Sequence, residues 1–274
     1  MRRLLALAVL SLPALVACGA SDPVAAEEIS AAVAKTAESG SSRIEISGTD
    51  EGEAIVMGGV ADHERRLASF RFDTAPKDWE GAAQEEAFRV LGGTLYVGSS
   101  IFGATGAGEK KPKPWVKFEY DKEDDVTLDT LLFPFPFVDP GQLLATFQKV
   151  GGAVESLGEE PVRGVPTDRY RLTLDLERLI NTAPARHRAA LRRELEERER
   201  QLEPIEIWID DAGLARRMRF VVDSDPVSID FFDFGIDVDV QAPPADQVED
   251  LDALFQEVGS GAGALELEPA EEDE

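Results

Sequence analysis

The stretch Pro204–Asp223, "PIEIWIDDAGLARRMRFVVD", reads as two strands joined by a turn at Asp211 to Gly213. Apolar and polar residues alternate on both sides of that turn, a period of two that suits pleated backbone and not a helix. The same alternation runs upstream, where Ile44 and Ile46 interleave with Arg43 and Glu45, and continues in "EAIVMGGV", "RRLASFRFD", "EEAFRVLGG", "TLYVG" and "PWVKFEYD". It returns in "AVESLGEE" and "PTDRYRLTLD", and after the quoted hairpin in "PVSIDFFDFG" and "DVDV". Glycines and short polar turns separate these runs, so they form antiparallel strands with one apolar and one wetted face. Helical spacing appears from Pro23 to Glu38, with Ala25, Ile29, Ala32, Val33 and Ala37 on one side and Gly40 as the stop. Further helices are predicted near Val126 to Leu132, from Pro140 to Gly151 with Leu143, Leu144, Phe147 and Val150 as the buried stripe, from Pro184 to Arg200, and from Asp246 to Val258. The order of elements predicts an α+β fold: a single large curved antiparallel sheet with a few helices on one side. Residues 24–258 read as this one domain, and residues 259–274 as an acidic tail too polar to pack.

The chain carries 54 acidic against 28 basic residues, a formal net charge of −26 at pH 7. Nucleic-acid binding depends on clustered Lys and Arg, so no nucleic-acid partner is expected. Arg2 and Arg3 precede an apolar run from Leu4 to Val16, the layout of an export leader that is too short to span a membrane. The one cysteine, Cys18, follows in "LVAC", a small-residue context that looks like a lipobox. Residues 1–17 are then the signal peptide and Cys18 is the lipidated first residue of the mature chain, with residues 18–23 as a short linker. Two acyl chains give stable anchoring where one is marginal. This predicts an exported protein held by its lipid at the outer face of the cell membrane.

Three segments resemble a known group of lipoproteins: "DPGQLLATFQKVGGAVESLGEEPVRGVPTDRYRLTLDL", "IEIWIDDAGLARRMRF" and "DFGIDVDVQAPPADQVEDL". They are similar to actinobacterial lipoproteins related to LppX, LprA, LprF and LprG. The resemblance implies a half-barrel of the LolA and LolB type, whose helices cover the concave face and enclose an apolar cavity for lipid chains. It implies lipid binding or transport, and the chain reads as non-enzymatic. Acyl chains gain almost nothing on leaving a bilayer for such a cavity, so direction is expected from an envelope transport partner or a sink. It transfers no ligand motif residue by residue.

Candidate lining residues are the aromatic and aliphatic side chains of one strand face or of the covering helices: Phe70, Phe72, Phe118, Phe133, Leu144, Phe147, Trp208 and Phe220. In "LLFPFPFVDP" the prolines force an extended run that carries Phe133, Phe135 and Phe137, either a cavity rim or an apolar connector. The predicted helix "PARHRAALRRELEERER" concentrates Arg186, Arg188, Arg192 and Arg193 in its first half, opposite to what the helix dipole favours. Either that end meets anionic headgroups, or the helix is solvated and held by pairs such as Arg192 with Glu196 and Glu194 with Arg198. The two histidines, His63 and His187, read as surface residues with no catalytic or metal-binding partner at readable spacing. The acidic runs Asp121 to Asp125 and Asp230, Asp233, Asp237 and Asp239 do not follow a calcium-loop pattern. No cofactor or metal is expected. An accessory lipoprotein that binds a protein partner with its cavity closed is the alternative reading.

Overall fold

The computed structural model describes residues 23–50, 52–75, 86–102, 113–119, 152–197, 204–222 and 225–250. In chain order these form α1 (Pro23–Glu38), β1 (Ser41–Asp50), β2 (Glu53–Asp62), β3 (Leu67–Thr74), β4 (Glu86–Leu91), β5 (Thr94–Gly98) and β6 (Trp115–Glu119). There follow β7 (Gly152–Glu159), β8 (Thr167–Leu174), α2 (Leu176–Thr182), α3 (Arg188–Glu197), β9 (Ile205–Asp210), β10 (Ala215–Val222), β11 (Asp225–Phe232) and β12 (Val248–Asp250). No helix among the described residues is long and apolar enough to cross a membrane.

All twelve strands join one open sheet in the order β12-β6-β5-β4-β3-β2-β1-β11-β10-β9-β8-β7. Neighbours are antiparallel except β12, which runs parallel to β6. Two meanders, β1 to β6 and β7 to β11, meet where β1 pairs with β11 through Ile44–Phe231 and Ile46–Ile229. This is the half-barrel sheet that the alternation and the resemblance lead one to expect.

The quoted hairpin turns where predicted. Asp210 organises it: its backbone carbonyl accepts from Gly213 N at 2.7 Å, and its carboxylate accepts from Leu214 N at 2.9 Å and Arg216 Nε at 2.6 Å. Against this hairpin lies α1, which buries Ile29, Ala32 and Val33. Ile29 and Val33, so buried, contribute about 1.5–3 kcal/mol each. The helix is pinned by Thr36, fully buried, whose Oγ1 donates to the Ala32 carbonyl at 2.7 Å and accepts from Ala215 N at 2.8 Å. Lys35 Nζ donates to the Ala212 carbonyl in the turn. Gly40, at φ +83°, takes the left-handed conformation that ends the helix and releases the chain into β1.

Several expectations are corrected. The helix predicted from Pro184 starts only at Arg188, as α3, and an unpredicted helix, α2, precedes it, capped by Asp175 accepting from Arg178 N at 2.9 Å, so that the two form a helical hairpin. "DVDV" lies outside the ladder; it buries Val238 and Val240, and Arg65 Nη2 donates to the Val238 carbonyl at 2.7 Å. Where a helix from Asp246 was predicted, residues 245–247 make a single 3-10 turn and residues 248–250 become β12, because β6 offers them an open edge. The predicted helices at 126–132 and 140–151, the FPFPF run, the leader and the acidic tail lie outside the described residues.

Candidate functional site

The face of the sheet on which α1 lies is apolar from strand to strand. One row runs Phe88, Phe70, Gly59, Ile44 and Phe231 across β4, β3, β2, β1 and β11. The next runs Phe72, Met57, Ile46, Ile229, Met218, Ile207 and Tyr170, from β3 to β8. Phe220 stands opposite Val227, and Ile205 opposite Leu172. Gly59 apart, these belong to one continuous apolar cluster that also takes in Val90, Leu95 and Val154, with Phe88 packed against it. Phe72 meets Phe88 edge to face at 5.9 Å between ring centroids. Polar groups on this face are few and bonded. Tyr170 Oη donates to Glu28 of α1 at 2.8 Å, and at one end Ser42 Oγ shares a 3.0 Å hydrogen bond with His63 Nε2. His63, expected at the surface, is therefore buried at 7% exposure, with its ring edge-on to Phe231.

Of the candidate lining residues, Phe70, Phe72 and Phe220 come together on this inner face, each about 1% exposed. Phe118 pairs with Leu95 in the β5–β6 register. Phe133, Leu144, Phe147 and Cys18 fall outside the described residues. Trp208 does not join them. On β9 the isoleucines 205, 207 and 209 face inward, so Trp208 alternates with them onto the outer face, where it is nevertheless 2% exposed.

What buries Trp208 is a layer of arginines. Arg169 Cζ lies 5.0 Å and Arg217 Cζ 5.8 Å from its ring centroid. Arg217 is anchored on Asp230 at 2.6 and 2.8 Å, and Arg169 on Glu160 and Glu206 at 2.7 Å each. From the β7–β8 connection Arg163 reaches Glu45 at 2.5 Å and Asp230 at 3.1 Å, and it caps Phe232 at 4.2 Å. The acidic residues of this region are thus tied into the face: Asp230 is held by two arginines and Asp233 pairs with Arg43 at 3.4 Å. No group of three metal-ligating side chains gathers among the described residues.

Burial of Glu206 favours its neutral form, but hydrogen bonds from Arg169 and Arg171 outweigh this and hold its carboxyl below its ordinary value. The hydrogen bond to Asp230 likewise raises the Arg217 guanidinium. A carboxyl depressed on folding contributes stability that is fully present above its unfolded pKa and lost as pH falls through the folded one. Urea midpoints are therefore expected to fall on acidification below about pH 4.3, the ordinary Glu value, and to fall less steeply in Glu206→Gln. An identical pH profile for the two proteins would remove Glu206 from this role.

Also on the outer face is an open groove of ≈ 560 Å³, floored by Gly58 and walled by Arg43, Glu45, Arg71, Asp73 and Glu86. Charges of both signs make it unfit for an acyl chain. The two faces are therefore chemically opposite: one a sheet of hydrocarbon, the other a net of ion pairs. Alternation alone would have found Ile44, Ile46, Ile229 and Phe231, which complete the inner face between the two meanders.

No family model matches the chain. A Streptomyces griseus protein described as an uncharacterized 31.2 kDa protein in the rplA-rplJ intergenic region is 24% identical over 208 residues, 68% of this chain and 67% of that protein. Among solved structures the chain is similar to the Mycobacterium tuberculosis lipoprotein LppX, with 16% identity and a TM-score of 0.47 over 81% of this chain and all (100%) of that one. LprF from Mycobacterium bovis gives 16% identity and a TM-score of 0.43, over 82% of this chain and 99% of that one. LppX and LprF are both names of the group that the sequence resembles.

Proposed function

We propose that this chain is a cell-envelope lipoprotein that holds a lipid or other lipophilic molecule against the inner face of its sheet and shields it during transfer, without catalysis. The observation that carries this reading is the inner face itself: hydrocarbon side by side across the sheet, with α1, the one described helix in that cluster, contributing only Ile29, Ala32 and Val33. These side chains are already buried, so an acyl chain joins the cluster by intercalating among them, each CH₂ taken from water contributing about 0.8 kcal/mol. Against the bilayer that gain nearly cancels, so the protein carries rather than concentrates its cargo, and direction comes from a partner or a sink. Cys18 is the attachment point that keeps the carrier at the outer face of the cell membrane.

The test is one chain examined twice. Cys18→Ala is expected to leave the membrane fraction, and continued membrane retention would sink the lipid anchor. The released chain, purified without detergent from a lipid-containing host, is expected to show a bound lipid in native mass spectrometry. A mass matching the bare chain, unchanged after incubation with envelope lipids, would overturn the carrier and favour a closed cavity with a protein partner.

A further inference from the structure

Two segments far apart in the sequence meet at one end of the sheet. The C-terminal end of α1 is fastened at the β9–β10 turn by Lys35 and Thr36, and further back Glu28 accepts from Tyr170. At 1.5 Å per residue, Pro23 lies about 20 Å from Thr36, away from that turn and toward the end where β8 finishes at Leu174 and β9 begins at Ile205. Between those same two strand ends the chain inserts the α2–α3 hairpin. The start of α1 and the hairpin therefore share one end of the sheet.

That hairpin is unlike the rest of the molecule. From Arg178 to Arg193 it carries Arg178, Arg186, His187, Arg188, Arg192 and Arg193 and no carboxylate, in a chain with 54 acidic residues. Its buried apolar residues, Ile180, Ala183 and Leu191, lie outside the apolar cluster of the sheet. The intrahelical pair expected of Arg192 gives way to one across the hairpin, with Glu177 at 3.0 Å, and Arg188 Nε donates to the Ala183 carbonyl at 2.9 Å. Arg178, Arg186 and Arg193 are exposed. The acids of α3, Glu194, Glu196 and Glu197, follow in its second half, toward β9.

We propose that this end of the sheet is a docking surface for an anionic bilayer, with Arg178, Arg186 and Arg193 against the headgroups. The inference builds on the lipid anchor at Cys18, since a tether from Cys18 to Pro23 spans at most about 17 Å and delivers this end, not the β9–β10 turn, to the membrane. A tether alone sets distance and not orientation. The chain's net charge of −26 means that an anionic surface repels it overall, so the basic end is the one that turns inward.

The test uses the mature chain, residues 18–274, carrying Cys18→Ala, so that binding is read without the leader or the anchor, and sedimentation with vesicles of phosphatidylcholine alone or mixed with phosphatidylglycerol. Binding to the mixed vesicles only, at low salt and reversed by high salt, is expected. Arg178→Glu, Arg186→Glu and Arg193→Glu together should weaken it at least about tenfold. The corresponding Gln triple variant, with circular dichroism to check folding, should weaken it less. Arg43→Glu, on an exposed position of β1 at the opposite end of the sheet, should change it little. Equal binding to both vesicle types, or a loss with Arg43→Glu as large as with the triple reversal, would overturn the docking surface. Fractionation of cells making the Cys18→Ala chain reports on the anchor separately.

Discussion

Gly59→Ala is expected to cost about 3 kcal/mol or more, a far larger penalty than one methyl group ordinarily brings. A Cβ at this position would lie 2.3 Å from Phe70 Cδ1 and 2.4 Å from the Ser69 carbonyl oxygen. Gly59 pairs with Phe70 on β3 and with Ile44 on β1, and the Phe70 ring occupies the space that a side chain on β2 would take. An aromatic ring laid across a glycine is a recognised way to keep a glycine-bearing strand in register. Relief would need either the ring to swing out of the inner face or β2 and β3 to separate. A double-mutant cycle with Phe70→Leu apportions the two: a shortened side chain restores part of the loss if the ring is the obstacle and none if the Ser69 carbonyl is. A urea midpoint for Gly59→Ala equal to that of the parent would show that the strands slide apart freely, and would remove Phe70 and Gly59 as a fixed floor for any bound chain.

Trp208→Ala is the second large effect, about 3–5 kcal/mol from the lost ring, with cation–π contacts worth about 0.5–2 kcal/mol in addition. The two guanidiniums over the indole, Arg169 and Arg217, would keep their carboxylates but lose the surface on which they lie. Trp208→Phe, which keeps an aromatic face for them, is expected to recover most of the stability. The pair also separates the two faces of the sheet functionally. Because Trp208 is on the outer face, Trp208→Phe should leave any lipid that accompanies the purified chain unchanged, whereas replacing Phe72 on the inner face by a polar residue should reduce it. Lipid loss with Trp208→Phe, in a protein of parental stability, would move the binding site to the arginine-covered side.

The same residue shows what the sequence made legible. "IEIWID" alternates cleanly, and following that alternation strictly places Trp208 with Glu206 and Asp210, away from the isoleucines. Grouping it with the phenylalanines by aromatic character ignored the pleat. Long alternating runs and the first helix were legible because each satisfies its own period: Ile29, Ala32 and Val33 are buried as spacing requires. What failed depends on partners distant in sequence. β12 is three residues long, too short to show any period, and exists because β6 is there to pair with it. α2 is a single short helix whose cap, Asp175, directly follows β8, so it reads as the tail of a strand. His63 looked exposed in a run of charged residues, and only the fold brings Ser42 to its ring. The floor of the candidate site was thus readable; the segments containing Phe133, Leu144 and Phe147 lie outside what the structure describes.

The pairing of β1 with β11 places the beginning of the chain and nearly its end side by side in the middle of the sheet. A polypeptide emerging in order from its first residue can form the β1–β6 meander early, but β1 waits with one ladder open until Phe232 has appeared. Closing that gap joins residues of very large sequence separation, the slowest class of contact to form. Until then the open edge of β1 is a strand available to any passing chain. The timetable of the molecule is therefore set at its centre: two meanders that can each form by themselves become one sheet only when β1 and β11 meet.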